Sequence, residues 1–250
     1  MNDWLDDLRT AVAFLTRLPM PYPAGPMPQN FVRAHRLFPV VGAAIGATVG
    51  LFCLGLRAVG LPDLAAAALA LGVGALLTGA LHEDGLADVA DGFGGGRDVA
   101  SKLEIMRDSR LGTYGALMLM VSFVTKVAAL ATLPDAFVVQ GLIAAHALAR
   151  GVLPSMAMNL PYARNDGLAA NAGRPDFATA ATAGALALII AWLVLPWRAA
   201  FGAALAAACC AAGMAWLAQR QIGGQTGDVL GGAEQLGETA ILLLLAALLA

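Results

Sequence analysis

Charge is scarce in this sequence: only 13% of its 250 residues are Asp, Glu, Lys or Arg, against roughly 25% in a soluble domain. With 59% hydrophobic residues and a mean hydropathy of +0.74, that scarcity excludes an ordinary water-soluble fold. A net charge of −2 gives nucleic acid no electrostatic footing, so no nucleic-acid partner is expected. Cysteine is rare as well. Cys53, Cys209 and Cys210 lie in apolar runs without metal-ligand spacing, and an adjacent pair is poorly placed for a disulfide, so all three are expected to pack or to face lipid. A basic segment followed by a short apolar stretch is also missing at the start, where residues 1–7 are acidic, and no cleavable signal is expected.

What the chain does have is long apolar runs. A bilayer core is about 30 Å thick and takes about 20 helical residues to cross. Candidate spans fall at 37–56, 64–81, 112–133, 136–153, 178–195, 199–218 and 236–250. The fold class expected is therefore all-α, a polytopic transmembrane bundle of about seven spans. The range is six to eight, because the last run is short and the fourth carries His146 and Arg150. Ahead of the bundle, Trp4, Leu8, Val12 and Leu15 recur at helical spacing opposite Asp3, Asp7 and Arg9, as in a helix lying in the interface. Pro19, Pro21, Pro23, Pro26 and Pro28 end it. We expect one integral membrane domain over 1–250, with 1–36 as an interfacial segment and 37–250 as the bundle. Small residues, as at Gly42, Gly46, Gly72 and Gly74, permit close helix contact where lipid provides no hydrophobic drive.

With seven spans, segments 1–36, 82–111, 154–177 and 219–235 share one side. That side holds Arg9, Arg17, Arg33, Arg36, Arg97, Lys102, Arg107, Arg110, Arg150, Arg164, Arg174 and Arg220, and the other only Arg57 and Arg198. The asymmetry makes the first side cytoplasmic. Lys126 is left inside the third span, where it is expected to face the bundle interior or to reach for a carboxylate, and the sequence names no partner for it.

The densest polar stretch, 82–96, follows an apolar span directly. Continued as a helix, it sets Asp84, Asp88 and Asp91 at i, i+4 and i+7, a single stripe of carboxylates beside His82. Such like charges call for a cation or raised pKa values. Carboxylate oxygens suit Mg²⁺, which is usually held by one or two carboxylates together with substrate phosphates. A basic run follows, in which Lys102, Arg107 and Arg110, with Asp108, Ser109 and Thr113 among them, can present guanidinium forks and hydroxyls to phosphate oxygens. A second glycine-rich acidic stretch, 223–238, falls on the same side. Its Asp228 can complete a metal site and its Glu234 can orient a cation. His146 and Arg150, one turn apart at membrane depth, suggest functional partners. Taken alone, the stripe also reads as the solvated end of a span, and the basic run as an anchor for anionic headgroups.

Three strings in order, Leu81-His82-Glu83-Asp84-Gly85-Leu86-Ala87-Asp88-Val89-Ala90-Asp91-Gly92, then 104–115 from Glu104 to Gly115, then Gly224-Gln225-Thr226-Gly227-Asp228, together resemble the cobalamin-5'-phosphate synthase family, adenosylcobinamide-GDP ribazoletransferase. The early run from Phe14 to Pro19 resembles it too, so the likeness covers nearly the whole chain. The resemblance implies a transfer in which adenosylcobinamide-GDP and α-ribazole, or its 5'-phosphate, give adenosylcobalamin, or its 5'-phosphate, and GMP. It also implies a need for Mg²⁺ and a place in a bacterial inner membrane. On this reading Asp84, Asp88 and Asp91, with Asp228, hold the metal. Arg107, Arg110 and Lys102, with Asp108, Ser109, His146 and Arg150, lie on the diphosphate and nucleotide side, and His82 or a stripe carboxylate takes a proton. The oligomeric state is left open, a homo-oligomer among the choices. Two other readings compete. One is a CDP-alcohol phosphotransferase, whose Asp-Gly-x-x-Ala-Arg string is absent here. The other is a transporter, which would place its charges near the bilayer midplane between inverted repeats.

Overall fold

The computed structural model describes residues 3–20, 30–164 and 173–249, so Pro21, Pro23, Pro26 and Pro28 lie outside the described residues. The helices are α1 (Asp3–Leu15), α2 (Phe31–Ala34, continued by a short 3-10 turn at His35–Leu37), α3 (Phe38–Ala58), α4 (Asp63–Thr78), α5 (Leu81–Gly95), α6 (Val99–Ile105), α7 (Thr113–Thr132), α8 (Asp135–Gly151), α9 (Leu153–Asn159), α10 (Phe177–Val194), α11 (Trp197–Ile222) and α12 (Gly227–Leu249). Six stretches are long and apolar enough to cross a bilayer, and α4 with α5 makes a seventh if the bent pair is counted as one span. The chain is thus a polytopic helical membrane protein. The cysteines are free, with Cys53 buried and Cys209 exposed.

Small residues set the helix contacts, as expected where lipid is as apolar as leucine. A side chain at Gly42 or Gly46 of α3 would run into the backbone carbonyls of His146 and Leu142 on α8. The α3–α8 contact is accordingly close. Gly72, by contrast, has open space where its side chain would be. Lipid-facing positions are large and apolar, among them Val121 and Val124 on α7 and Trp192 and Leu193 on α10.

Two expectations change in form. The helix that carries the acidic stripe does not continue the second span. The chain breaks at Gly79 and Ala80, both in the left-handed region at φ +68° and +54°, and α5 leaves α4 at 92°. A glycine takes that conformation freely, whereas Ala80 pays the steric cost of its Cβ. The bend turns α5 across the end of the bundle. At the other end of the sequence, the last helix begins at Gly227, nine residues before the expected span, so Asp228, Glu234 and Glu238 all ride on α12.

The N-terminal helix is less peripheral than its sequence suggests. Asp7, expected on the polar face, is completely buried. It accepts hydrogen bonds from Asn30 Nδ2 at 2.9 Å and Arg33 Nε at 2.9 Å and pairs with Arg36 at 2.8 Å. Arg36 also lies over the Trp4 ring, 3.6 Å from its centroid. These contacts clamp α1 to α2 and so fix Phe14 beside Phe31 and Phe38.

Ala80→Gly relieves the left-handed alanine and is expected to stabilise the protein by about 1 kcal/mol, a rise of roughly 2–4 °C in Tm for a chain of this size. Gly79→Val, strained at the same turn and directed at the Arg17 side chain, is expected to lower it by more. Thermal unfolding in detergent checks both, and equal Tm values would mean that the turn carries no strain.

Candidate active site

The connection order brings the starts of α3 and α12, the loop after α9 and the whole of α5 to one end of the bundle. There α5 crosses α12 on glycines. A Cβ on Gly85 would come within 3.0 Å of the Asp228 backbone, and one on Gly231 within 3.3 Å of that of His82. Only at such a separation can carboxylates from the two helices share one site.

Asp84 and Asp228 line a common cavity of about 280 Å³ together with His82, Tyr162, Arg164, Thr226 and an aromatic wall from the N-terminal helices. Asp88 lies one turn along α5 from Asp84. Burial, with the charges of Asp84, Asp228 and Asp91, pushes its carboxyl up to about 7. That is the electrostatic signature of an acidic site without enough positive charge.

Asp91 is used differently. Its two oxygens accept backbone N–H bonds from Gly112 at 2.8 Å and Gly115 at 2.9 Å, so it caps the start of α7. The glycines are there because a Cβ at either would strike that carboxylate.

Arg164 was counted in the sequence only as a loop cation, and it is the cation the structure delivers to this cavity. Gln225 makes the placement. Its backbone N–H donates to Pro161 O at 2.8 Å, its carbonyl accepts from Ala163 N–H at 3.0 Å, and its amide donates to the carbonyls of Ala157 and Leu160. The 161–164 segment is thereby held against the turn before α12. Arg164 then pairs with Asp228 at 3.5 Å through one terminal nitrogen, while Nη1, buried, has no partner among the described residues. A buried guanidinium N–H without an acceptor costs free energy, and a phosphate oxygen would satisfy it.

The basic run after α5 does not line this cavity. Lys102 Nζ donates to Gln221 Oε1 on α11. Arg110 makes a two-pronged pair with Asp108 at the surface, which holds the Asp108 carboxyl down at about 2. Arg107 and Ser109 are exposed.

His146 and Arg150 are likewise not on the cavity surface. They belong to a buried network inside the bundle. Arg150, 1% exposed, pairs with Glu238 at 2.7 Å and also with Glu234. His146 Nδ1 meets Glu238, and His82 Nδ1 stands 3.3 Å from Glu234 Oε2. Lys126 donates to Gln235 Oε1 at 2.6 Å and lies 3.6 Å from Glu238. Glu238 is eleven residues into α12, about 16 Å along its axis at 1.5 Å per residue. The signal was present in the sequence as Lys126, Arg150 and two glutamates in apolar surroundings, but their pairing was not. Through His82 the network touches the cavity wall.

Comparison with known proteins identifies the family. The cobalamin-5-phosphate synthase family profile matches residues 7–246. The chain belongs to that family. It is 46% identical to the adenosylcobinamide-GDP ribazoletransferase of Bradyrhizobium diazoefficiens, covering 96% of this chain and 93% of that one. It is 45% identical to the protein of the same name in Rhizobium etli, covering 98% of each, and 42% identical to that of Azorhizobium caulinodans, covering 96% and 94%. No solved structure matches it. The chain is therefore a transferase of cobalamin biosynthesis, which sets aside the transporter and the CDP-alcohol phosphotransferase.

Removing one partner from the buried network leaves an uncompensated charge, so Glu238→Gln or Arg150→Met is expected to cost about 3–5 kcal/mol, lowering Tm by roughly 10 °C. The double variant, which removes one charge of each sign, should recover part of that loss. Thermal unfolding of the detergent-solubilised protein is the measurement, and single variants with unchanged Tm would contradict the pairing.

Proposed function

We propose that the protein joins adenosylcobinamide-GDP to α-ribazole, or to its 5'-phosphate, releasing GMP, with Mg²⁺ held by Asp84, Asp88 and Asp228. The observation that carries this reading is the convergence of Asp84 and Asp228 from two helices on one cavity that also contains a buried guanidinium nitrogen of Arg164 with no partner among the described residues. A diphosphate substrate supplies what each side lacks. Its oxygens satisfy Arg164, and the divalent cation it carries offsets the carboxylate repulsion that raises Asp88.

The donor set fits the metal, since hard carboxylate oxygens suit Mg²⁺ and the excess negative charge requires a cation. Bound Mg²⁺ would supply charge neutralisation for the diphosphate and for the departing GMP. The chain's own residues orient the substrates. Arg164 binds diphosphate oxygens, and Asp91 keeps α5 seated on α7, with Asp84 on the cavity and Asp88 one turn further along the helix. Because a 5'-phosphate on ribazole is carried through unchanged to the product, a secondary ribose hydroxyl attacks the phosphorus attached to cobinamide, and the P–O bond to GMP breaks. A stripe carboxylate accepts the proton of that hydroxyl.

The side that carries the cavity is the cation-rich side, which makes it cytoplasmic, in the inner membrane of a bacterial cell.

Purified, lipid-reconstituted protein given both substrates should release GMP with Mg²⁺ and stop with chelator. Asp84→Asn and Asp228→Asn should each lower kcat/KM at least about 100-fold, as loss of a transition-state charge interaction does. Arg164→Gln should raise KM for adenosylcobinamide-GDP about tenfold, a loss of about 1.4 kcal/mol. Metal-independent release, or full activity in both Asp variants, would overturn the assignment.

A pH dependence follows from Asp88. Its carboxyl, raised to about 7, is mostly protonated below that value and must lose the proton to take a cation. Mn²⁺ affinity, read by electron paramagnetic resonance as a probe for Mg²⁺, is expected to fall about tenfold per unit below pH 7 and to level off above it. Affinity that stays flat from pH 5 to 8 would exclude Asp88 from the site.

A further inference from the structure

The cavity has two chemically unlike ends. Asp84, Asp228 and Arg164 occupy one. The other is formed by Phe14, Phe31, His35 and Phe38, which come from α1, α2, the turn after it and the start of α3. Their rings are a packed set: Phe14 lies parallel to Phe38 at 5.7 Å and edge-on to Phe31 at 4.9 Å, and His35 stacks on Phe38 at 4.4 Å. His35 Nδ1 donates to the carbonyls of Phe31 and Val32, which fixes its ring and leaves Nε2 with a lone pair.

We propose that this aromatic wall is the subsite for the base of the accepting nucleoside, a planar heteroaromatic ring system with no N–H or carbonyl on its edge. The inference rests on the transfer reading above, in which that base is the benzimidazole of ribazole. A guanine would bring N–H and carbonyl groups along its edge, and the wall offers them a single lone pair at His35. Buried without partners, such groups weaken binding. A benzimidazole brings ring faces and methyl groups, which aromatic side chains receive by stacking and dispersion. The cavity, at about 280 Å³, suits a nucleoside and is small for a corrin macrocycle, which leaves the corrinoid outside with its diphosphate reaching in to Arg164. The nucleoside's ribose then points from the wall towards the carboxylates, where the phosphorus is to be attacked. The buried Asp7 clamp acquires a purpose in this arrangement, because it holds α1 and α2 in the position that builds the wall.

The test separates the two substrates. In reconstituted protein, Phe14→Leu and Phe38→Leu are expected to raise KM for α-ribazole about five-fold, the loss of a base–aromatic stack partly kept by leucine. KM for adenosylcobinamide-GDP should stay within twofold. Phe14→Trp, which keeps an aromatic face, should raise KM for ribazole less than Phe14→Leu does, a partial rescue that a purely structural role would not give. Wild type should prefer the benzimidazole riboside to the adenine riboside, and that preference should shrink in the leucine variants. A rise in KM for the corrinoid substrate instead, or no change in either, would overturn the subsite. Titration calorimetry with α-ribazole alone distinguishes failure of the subsite from failure of the reaction. Binding that weakens in Phe14→Leu supports the wall even in a preparation that makes no GMP. Equal binding in wild type and variant contradicts it.

Discussion

A charge inside a bilayer is tolerable only when another neutralises it, and the interior of this bundle is arranged around that constraint. Arg150 and Lys126 face Glu234 and Glu238, with both glutamates on α12 and the cations on α8 and α7. The formal charges cancel, and His146, His82 and Gln235 add further polar contacts. Ion pairs of this kind add little net stability relative to well-packed apolar side chains, but breaking one is expensive. Their effect is therefore on position. Helices that lipid would let slide are locked in one register, because only one register pairs every charge.

Position is what the site requires. α5 lies across the end of the bundle, held at its start by the Gly79–Ala80 bend, in its middle by the glycine crossing with α12, and towards its end by Asp91 on the first turn of α7. Each restraint acts within a turn or two of Asp84 and Asp88. On the facing side, Gln225 ties the loop after α9 to the start of α12 and so delivers Arg164 to Asp228. The acidic stripe is thus built into a rigid corner, as a site meant to hold a cation and a diphosphate must be.

Much of this was legible before any coordinates. Seven apolar runs, the stripe at Asp84 and Asp88 and the proximity of Asp228 follow from periodicity and from alternation of sides, both of which are local properties. What was not legible depends on long-range pairing. The sequence shows Asp91 as a third member of a stripe and cannot show that two glycine N–H groups more than twenty residues on consume its oxygens. It shows Lys126 without a partner, because Glu238 is on another helix. Arg164 is one cation among twelve on its side until Gln225 fixes its loop, whereas Arg110, chosen for its motif, spends its charge on its neighbour Asp108. The bend after α4 was missed for a local reason. Gly79 is a recognisable stop, but a left-handed alanine beside it is not predictable from composition.

The central claim is that α5 and α12 contribute to one cation site, with the buried network holding them together. A double-mutant cycle on Mn²⁺ affinity tests it most directly, with Asp84→Asn, Asp228→Asn and the pair measured in lipid-reconstituted protein. If the two carboxylates share one ion, each single change weakens binding at least tenfold and the double variant is little worse than either alone. Mn²⁺ affinity left unchanged by either single variant would mean that only one helix contributes to the ion and that no shared site exists.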